Sequence, residues 1–294
     1  MSVQSLRTRR PVTTRSLTTP LVLWHLLSLD APSIATLWTW FLARACRIHL
    51  PFASLAAMFL AVWTLYAADR LLDARTLNQN PLQASTLEPR HLFHHRYRTV
   101  FLIAITAASA LLAAILPSLY PPAMRLYLIL ATLLSAYFIL IHIHFTDHRI
   151  PKELAVGIFF AAATFIPAVS RNPSLRLPLL PSALLFASLA SLNCLFIYAW
   201  EHEHSPTSTA HPTTTFALRL KTPLLITLAF TGTALALLQH NAPWQIPAAC
   251  TLAALILLTL HILHHKVPPT PLRAAADLAL ATPLLLLPFL SIPS

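Results

Sequence analysis

Long apolar segments, separated by short polar stretches, dominate the pattern of this 294-residue chain. Nine of them approach or reach the ~20 residues that a helix needs to cross the hydrocarbon core of a bilayer. They are 21–43, 50–68, 99–119, 123–145, 151–169, 178–200, 222–239, 243–263 and 272–291. Because backbone polar groups cannot stay unpaired in lipid, each segment is predicted to be helical. The pattern therefore predicts an all-α, polytopic membrane protein with about nine transmembrane helices.

The composition agrees with this prediction and leaves no segment for a water-soluble domain. Hydrophobic residues make up 56% of the chain and charged residues 10%. Residues 1–20 contain Arg, Ser and Thr but no acid, which is typical of a cytoplasmic tail or of an organellar transit segment. We favour the tail, followed by a single transmembrane domain over residues 21–294.

The formal net charge of +11 is explained by membrane topology, so it does not require nucleic acid as a partner. With an odd number of spans, the side that holds the N-terminus carries fifteen of the twenty Lys and Arg residues. Basic residues accumulate in cytoplasmic loops of membrane proteins. The charge bias therefore predicts a multi-pass protein, surrounded by lipids, with a cytoplasmic N-terminus. We expect its membrane to be a bacterial inner membrane.

Two carboxylates, Asp69 and Asp73, follow the apolar segment 50–68 directly. Ionisable residues at a membrane-spanning segment are costly, and they commonly mark functional sites. At positions i and i+4 of a helix, both side chains lie on one face. Mg²⁺ binds through one or two carboxylates together with substrate phosphates. The pair is thus a candidate Mg²⁺ site, unless it is a solvated helix end neutralised by Arg70 and Arg75.

Further polar groups fall in loops that the predicted topology places on the same side. Loop 201–221 begins with Glu201 and contains Glu203, and Lys152 lies in the short turn 146–153. Acids that hold Mg²⁺ next to bases that hold phosphate suit a diphosphate headgroup. The lipid tail of such a ligand would lie among the helices.

The run YAADRLLD at 66–73 resembles the first Asp-rich motif, N-D-x-x-D-x-x-x-D, of the UbiA-type membrane prenyltransferases. Leu65 and Tyr66 stand at the positions of its leading Asn and Asp. The run YAWEHE at 198–203 is similar to the Y-x-x-x-K-D signature at the end of that family's sixth span, with His and Glu in place of Lys and Asp. Residues 29–33 resemble its L-D-K-P-x segment.

The resemblance implies a UbiA-like helical bundle that moves an isoprenyl group from a polyprenyl diphosphate to an aromatic or lipid acceptor, with Mg²⁺ as cofactor. It implies metal ligands among Asp69, Asp73, Glu201 and Glu203. It implies diphosphate contacts from Arg70, Lys152, Tyr198 and His202. Which of the two glutamates binds metal stays open, because residues two apart on one helix do not share a face.

Two alternatives remain. The incomplete motifs are also compatible with a degenerate member that binds a lipid diphosphate without turning it over. The fifteen histidines offer a different class of site, because H-x-x-H-H runs at 91–95 and 261–265 and an H-x-x-x-H run at 144–148 resemble the His boxes of membrane di-iron oxidoreductases.

The predicted topology is testable at Ser85 and Ser208, which lie in loops 69–98 and 201–221. Single cysteines at these positions, in a chain whose three native cysteines are replaced, are expected to react with a membrane-impermeant thiol reagent from one and the same side. Reaction from opposite sides would show that the two loops do not share a membrane face.

Overall fold

The computed structural model describes residues 20–75, 89–143, 152–201, 203 and 212–290, and within them it forms helices and no strand. The predicted tail therefore lies almost wholly outside the described residues. The helices are α1 Pro20–Leu26, α2 Asp30–Ala45, α3 Phe52–Arg75, α4 Pro89–Arg96, α5 Arg98–Ile115, α6 Pro121–Ile143, α7 Lys152–Arg171, α8 Arg176–Glu201, α9 Pro212–Leu238, α10 Gln245–Leu263 and α11 Pro269–Ala279. Short 3₁₀ segments follow at Leu116–Ser118, Pro173–Leu175, His264–Lys266 and Thr282–Phe289.

Seven helical segments among the described residues are long and apolar enough to cross a membrane. They are Phe52–Leu72, Arg98–Ser118, Lys152–Arg171, Pro173–Glu201, Thr214–Leu238, Gln245–Lys266 and Pro269–Phe289. The number becomes eight if the bent pair α1–α2 is one span. Helix α6 overlaps the predicted segment 123–145 but is not among the seven. The all-helical class and a multi-pass membrane protein follow from this arrangement, whereas the count of nine is not confirmed.

The first predicted span, 21–43, is not one continuous helix. Helices α1 and α2 are separated by a short break and bent by 93°. Ser28, in that break, has a φ of 59°, which is left-handed backbone that a straight helix cannot contain. Pro32 lies in the first turn of α2, where its missing N–H costs no helical hydrogen bond. The break turns His25 at the end of α1 toward Asp30 at the start of α2.

The apolar core lies around α8, which packs most extensively against α7 and also contacts α9, α10 and α11. Four large rings, those of Trp38, Phe41, Phe186 and Phe196, are fully buried in this core. The Trp38 and Phe186 rings lie 4.0 Å apart between centroids. By contrast, α5 and α6 expose apolar side chains along most of their length, as lipid-facing helices do.

Close approach of α7 to α8 depends on Gly157. A Cβ placed on this residue would lie 2.5 Å from the Ala187 carbonyl oxygen and still closer to the Ser191 hydroxyl. The atoms that it would meet include backbone, which cannot rotate away as a flexible side chain can. Small residues at helix contacts let membrane helices pack closely, and this is the role that Gly157 has here.

Gly157→Ala is expected to destabilise the α7–α8 pair by about 1–3 kcal/mol, the usual cost of overpacking a well-filled contact. The neighbouring Ile158 is 51% exposed, so Ile158→Ala is the matched control and should change stability little. Thermal unfolding of both variants in detergent measures the difference. Equal melting temperatures for the two variants would contradict the close contact.

Candidate functional site

A buried polar network centres on Asp30, whose side chain is completely buried at the start of α2. His25 Nδ1 lies 2.6 Å from Asp30 Oδ2, and Arg70 Nη2 donates to the same oxygen at 3.2 Å. The Tyr66 hydroxyl reaches this oxygen at 3.4 Å. The backbone N–H of Ala31 donates to Oδ1 at 3.0 Å. Asp30 is therefore bonded through both of its oxygens.

Arg70, which the sequence assigns to diphosphate, is engaged inside the bundle. Its guanidinium donates to the His25 carbonyl oxygen at 2.8 Å and also to the Tyr66 oxygen, and it lies 4.2 Å from the centre of the Tyr66 ring. Only 4% of the residue is exposed. Its contacts hold α3 to the bent pair α1–α2, and its carboxylate partner in this structure is Asp30.

The network continues to α8 and α11 through residues that the sequence reasoning did not select. His25 Nδ1 lies 3.8 Å from Asp277 Oδ2, and Asn193 Nδ2 donates to Asp277 Oδ1 at 3.2 Å. The possible metal-ligand atoms of three side chains lie within 4.8 Å of one another, one each from His25, Asp30 and Asp277. The available signal was the presence of an ionisable residue inside an apolar segment, here Asp277 in segment 272–291.

One histidine of the first H-x-x-H-H run takes part in this buried region. His94, on α4, is 1% exposed, and its Nε2 lies 3.1 Å from the Ser28 hydroxyl. Its ring packs against Phe101 with 4.4 Å between centroids. His95 beside it is exposed. His94 therefore packs α4 against the α1–α2 break.

A second, solvent-accessible pair joins α3 to α7. Lys152 Nζ lies 3.2 Å and 3.3 Å from the two carboxylate oxygens of Asp69. The side chains are 56% and 27% exposed, respectively. Two residues that the sequence assigns to diphosphate and to Mg²⁺ are thus in contact, although 83 positions separate them in the chain.

The remaining predicted acids lie at the end of α8. Glu201 forms an ion pair with Arg273 of α11. Glu203, just beyond the helix, has its Oε1 3.4 Å from His264 Nε2 and 3.9 Å from His265 Nδ1. The two glutamates border a common open pocket of about 210 Å³.

These groups share one end of the helical bundle. Helices α7 and α8 are joined by the short connection at Pro173–Leu175, so they run antiparallel, and Lys152 at the start of α7 lies at the same end as Glu201. The Asp69 contact adds the end of α3 to this region, and Arg273 adds the start of α11. The structure thus brings acids and bases of four helices to a common polar end.

The other predicted site residues are described in part. Asp73 lies on α3 in helical register with Asp69, but its side chain is outside the described set. His202 is outside the described residues. Tyr198 is half-buried on α8. Arg75 lies on α3 and, like Asp73, has a side chain that is not described.

The described residues contain two groups of three possible metal ligands whose atoms lie within 4.8 Å of one another. One is buried and comprises His25, Asp30 and Asp277; the other comprises Glu203, His264 and His265. Neither group combines the two H-x-x-H-H runs, as a di-iron centre built from both would require. The run at 144–148 lies outside the described residues.

Fold and site together define a multi-pass helical membrane protein with a polar, charge-paired end and a buried ionic network. A scan against protein-family models, a search of curated proteins and a search of solved structures each found no match to this chain. Proposals about its activity therefore depend on the geometry and on the sequence motifs alone.

The Asp30–Arg70 pair yields a stability prediction. Asp30→Asn leaves the buried Arg70 charge without its carboxylate, and Arg70→Met leaves the buried Asp30 charge without its guanidinium. Each variant is expected to destabilise the protein by about 3–5 kcal/mol. The double variant removes both charges and should cost less than the sum of the single variants. Unfolding of the four proteins in detergent measures the coupling.

Arg125→Gln is the control for these variants, because Arg125 is exposed at the start of α6. Its substitution should change stability by no more than a few tenths of a kcal/mol, about the effect of an ordinary surface change. Additive losses in the double variant would mean that Asp30 and Arg70 do not stabilise the fold as a pair.

Proposed function

We propose that this chain is a UbiA-like intramembrane prenyltransferase, which binds a polyprenyl diphosphate at its polar end and passes the isoprenyl group to an aromatic or lipid acceptor in the presence of Mg²⁺. The observation that carries this proposal is the contact of Asp69 with Lys152. This contact joins, at a solvent-accessible position, the acid that the family resemblance assigns to Mg²⁺ and the base that it assigns to the diphosphate.

The residues at this end have the chemistry that such a substrate needs. Asp69 offers two carboxylate oxygens, the ligand type that Mg²⁺ prefers, and Asp73 follows one helical turn later on α3. When bound, Mg²⁺ neutralises charge that develops on a leaving diphosphate. Lys152 would hold the diphosphate, and the apolar helices would enclose the isoprenyl chain and exclude water from the allylic cation.

Binding requires the Lys152 ammonium to exchange its partner. In this structure it contacts both Asp69 oxygens. An incoming diphosphate would compete for the ammonium, and the Asp69 carboxylate would then be available to hold Mg²⁺. The Lys152 side chain is 56% exposed, so it has room to move, and a lysine has a flexible stem with a compact charge at its tip. Exposed ion pairs contribute little to stability, so breaking the Asp69–Lys152 pair costs little free energy.

The buried network has a positioning role in this proposal. Arg70 fixes the last turns of α3 against α1 and α2 through Asp30 and the His25 carbonyl oxygen. The same helix carries Asp69, whose side chain points to a different partner. Rigid support of this kind keeps a binding carboxylate within reach of its ligand.

One observation favours the second candidate function, binding of a lipid diphosphate without turnover. Two of the four predicted metal-binding acids are already neutralised by cations of the chain, Asp69 by Lys152 and Glu201 by Arg273. A member that had lost catalysis could retain such pairs and still bind the headgroup. Both candidates place the polar end on the cytoplasmic side, as the charge distribution predicts. We propose a bacterial inner membrane as the location.

Incubation of the purified protein with labelled polyprenyl diphosphates, Mg²⁺ and candidate acceptors separates the two candidates. Release of labelled diphosphate supports transfer. Saturable, Mg²⁺-dependent binding with no release supports the binding protein. If the protein shows no binding and no release of diphosphate, both candidate functions are overturned.

Asp69→Asn and Lys152→Gln are each expected to weaken Mg²⁺-dependent binding of a polyprenyl diphosphate about tenfold to a hundredfold. Each removes a charge-assisted contact of about 1.5–3 kcal/mol. Arg125→Gln, which removes an exposed cation from the start of α6, should bind as the unmodified chain does. Unchanged binding by both site variants would exclude the Asp69–Lys152 region as the headgroup site.

A further inference from the structure

We propose that Glu203, His264 and His265 form a binding site for a zinc-class transition-metal ion, separate from the Asp69 region. His264 and His265 begin the 3₁₀ turn after α10, and Glu203 follows the end of α8. The three side chains converge from two separate parts of the chain. The proposal does not depend on the prenyltransferase activity.

The spacing of the donor atoms fits a small tetrahedral ion. Zinc bonds of about 2.0–2.1 Å to nitrogen and oxygen place neighbouring ligands of a tetrahedron roughly 3.3 Å apart. His264 Nε2 and Glu203 Oε1 are 3.4 Å apart, and His265 Nδ1 lies 3.9 Å from the same oxygen. All three ligand atoms lie within 4.8 Å of one another. Small movements of exposed side chains therefore complete the geometry.

The tautomer of His264 is set for metal binding. Its Nδ1 contacts the His261 backbone carbonyl oxygen, so Nδ1 donates and carries the ring hydrogen. The lone pair is then on Nε2, the atom that faces Glu203. Metal-binding histidines commonly donate their second ring nitrogen to a carbonyl or carboxylate in this way, which fixes the ring orientation.

Neighbouring aromatic rings hold His264 in place. Its ring is stacked against Trp200 with 6.3 Å between centroids and against His261 with 5.1 Å. The Trp200 indole N–H donates to His261 Nδ1 at 3.3 Å, which orients His261 in turn. The His264 side chain is only 13% exposed, so little freedom remains to be lost when an ion binds.

The ligand types select the ion. Two imidazoles and one carboxylate match the three protein ligands of open zinc sites, whereas Mg²⁺ and Ca²⁺ prefer oxygen ligands alone. The group borders the open pocket of about 210 Å³ that Glu201 and Arg273 also line. A fourth position, for water or an anionic ligand, is therefore accessible. If Glu203 binds this ion, Glu201 is the glutamate that remains for Mg²⁺.

The test is Zn²⁺ titration of chelator-treated protein in detergent, in competition with a chromophoric chelator, with Co²⁺ as a spectroscopic substitute. Removal of a second-sphere partner already lowers zinc affinity about 10–100-fold, so Glu203→Gln and His265→Gln should each lower it about a hundredfold or more. Both should also abolish the intense visible bands of four-coordinate Co²⁺. The double variant His49→Gln/His240→Gln, which removes two exposed imidazoles elsewhere, is the matched control.

The His265 side chain is 70% exposed, so its substitution leaves the packed core intact and a loss of binding reflects the ligand. One equivalent of zinc that is lost in both site variants and kept in the control establishes the site. The proposal is overturned if the unmodified protein binds no zinc, or if the site variants and the control bind equally.

Discussion

The buried ion pair between Asp30 and Arg70 is the interaction on which the arrangement of the helices depends. In a bilayer, a charge with no partner is strongly disfavoured, so each residue requires the other to be in place. The chain breaks at Ser28 and bends by 93° between α1 and α2, and Arg70 contacts both sides of this break, the His25 carbonyl oxygen and the Asp30 carboxylate. Local backbone geometry and long-range electrostatics are therefore coupled at this point.

From this pair the polar groups extend in two directions. Inward contacts reach Asp277 and Asn193 and tie α11 and α8 to the bent pair. Toward the bundle end, the pairs Asp69–Lys152 and Glu201–Arg273 close the polar surface. Buried charged groups have few alternative partners, so their contacts stabilise the fold. The accessible pairs can exchange their partners for a ligand. This division would let one end of an apolar bundle be rigid and also, as we propose, bind an anionic headgroup.

The apolar segments predicted most of the long helices, because burial in lipid forces backbone hydrogen bonds to be local. They gave no signal for α4, Pro89–Arg96, which lies in the predicted polar loop 69–98. They did not place a break at Ser28, although Asp30 and Pro32 interrupt the first apolar segment just after it. The family resemblance assigned Asp69 to Mg²⁺ and Lys152 to the diphosphate, and the structure brings the two side chains into contact. The resemblance also assigned Arg70 to the headgroup, whereas the Arg70 side chain points into the bundle. Tertiary partners such as Asp30 decide the direction of a side chain at a helix end. Asp277 had the signal of an ionisable residue inside an apolar segment, but its partners come from other helices, so the sequence could not name them.

An experimental structure of the protein in lipid nanodiscs, with Mg²⁺ and a non-hydrolysable polyprenyl thiodiphosphate, tests the central claim most directly. The account predicts that the diphosphate analogue lies between Asp69 and Lys152, with Mg²⁺ on the carboxylate side and the isoprenyl chain among the helices. A headgroup bound elsewhere, with the Asp69–Lys152 pair intact, would contradict it.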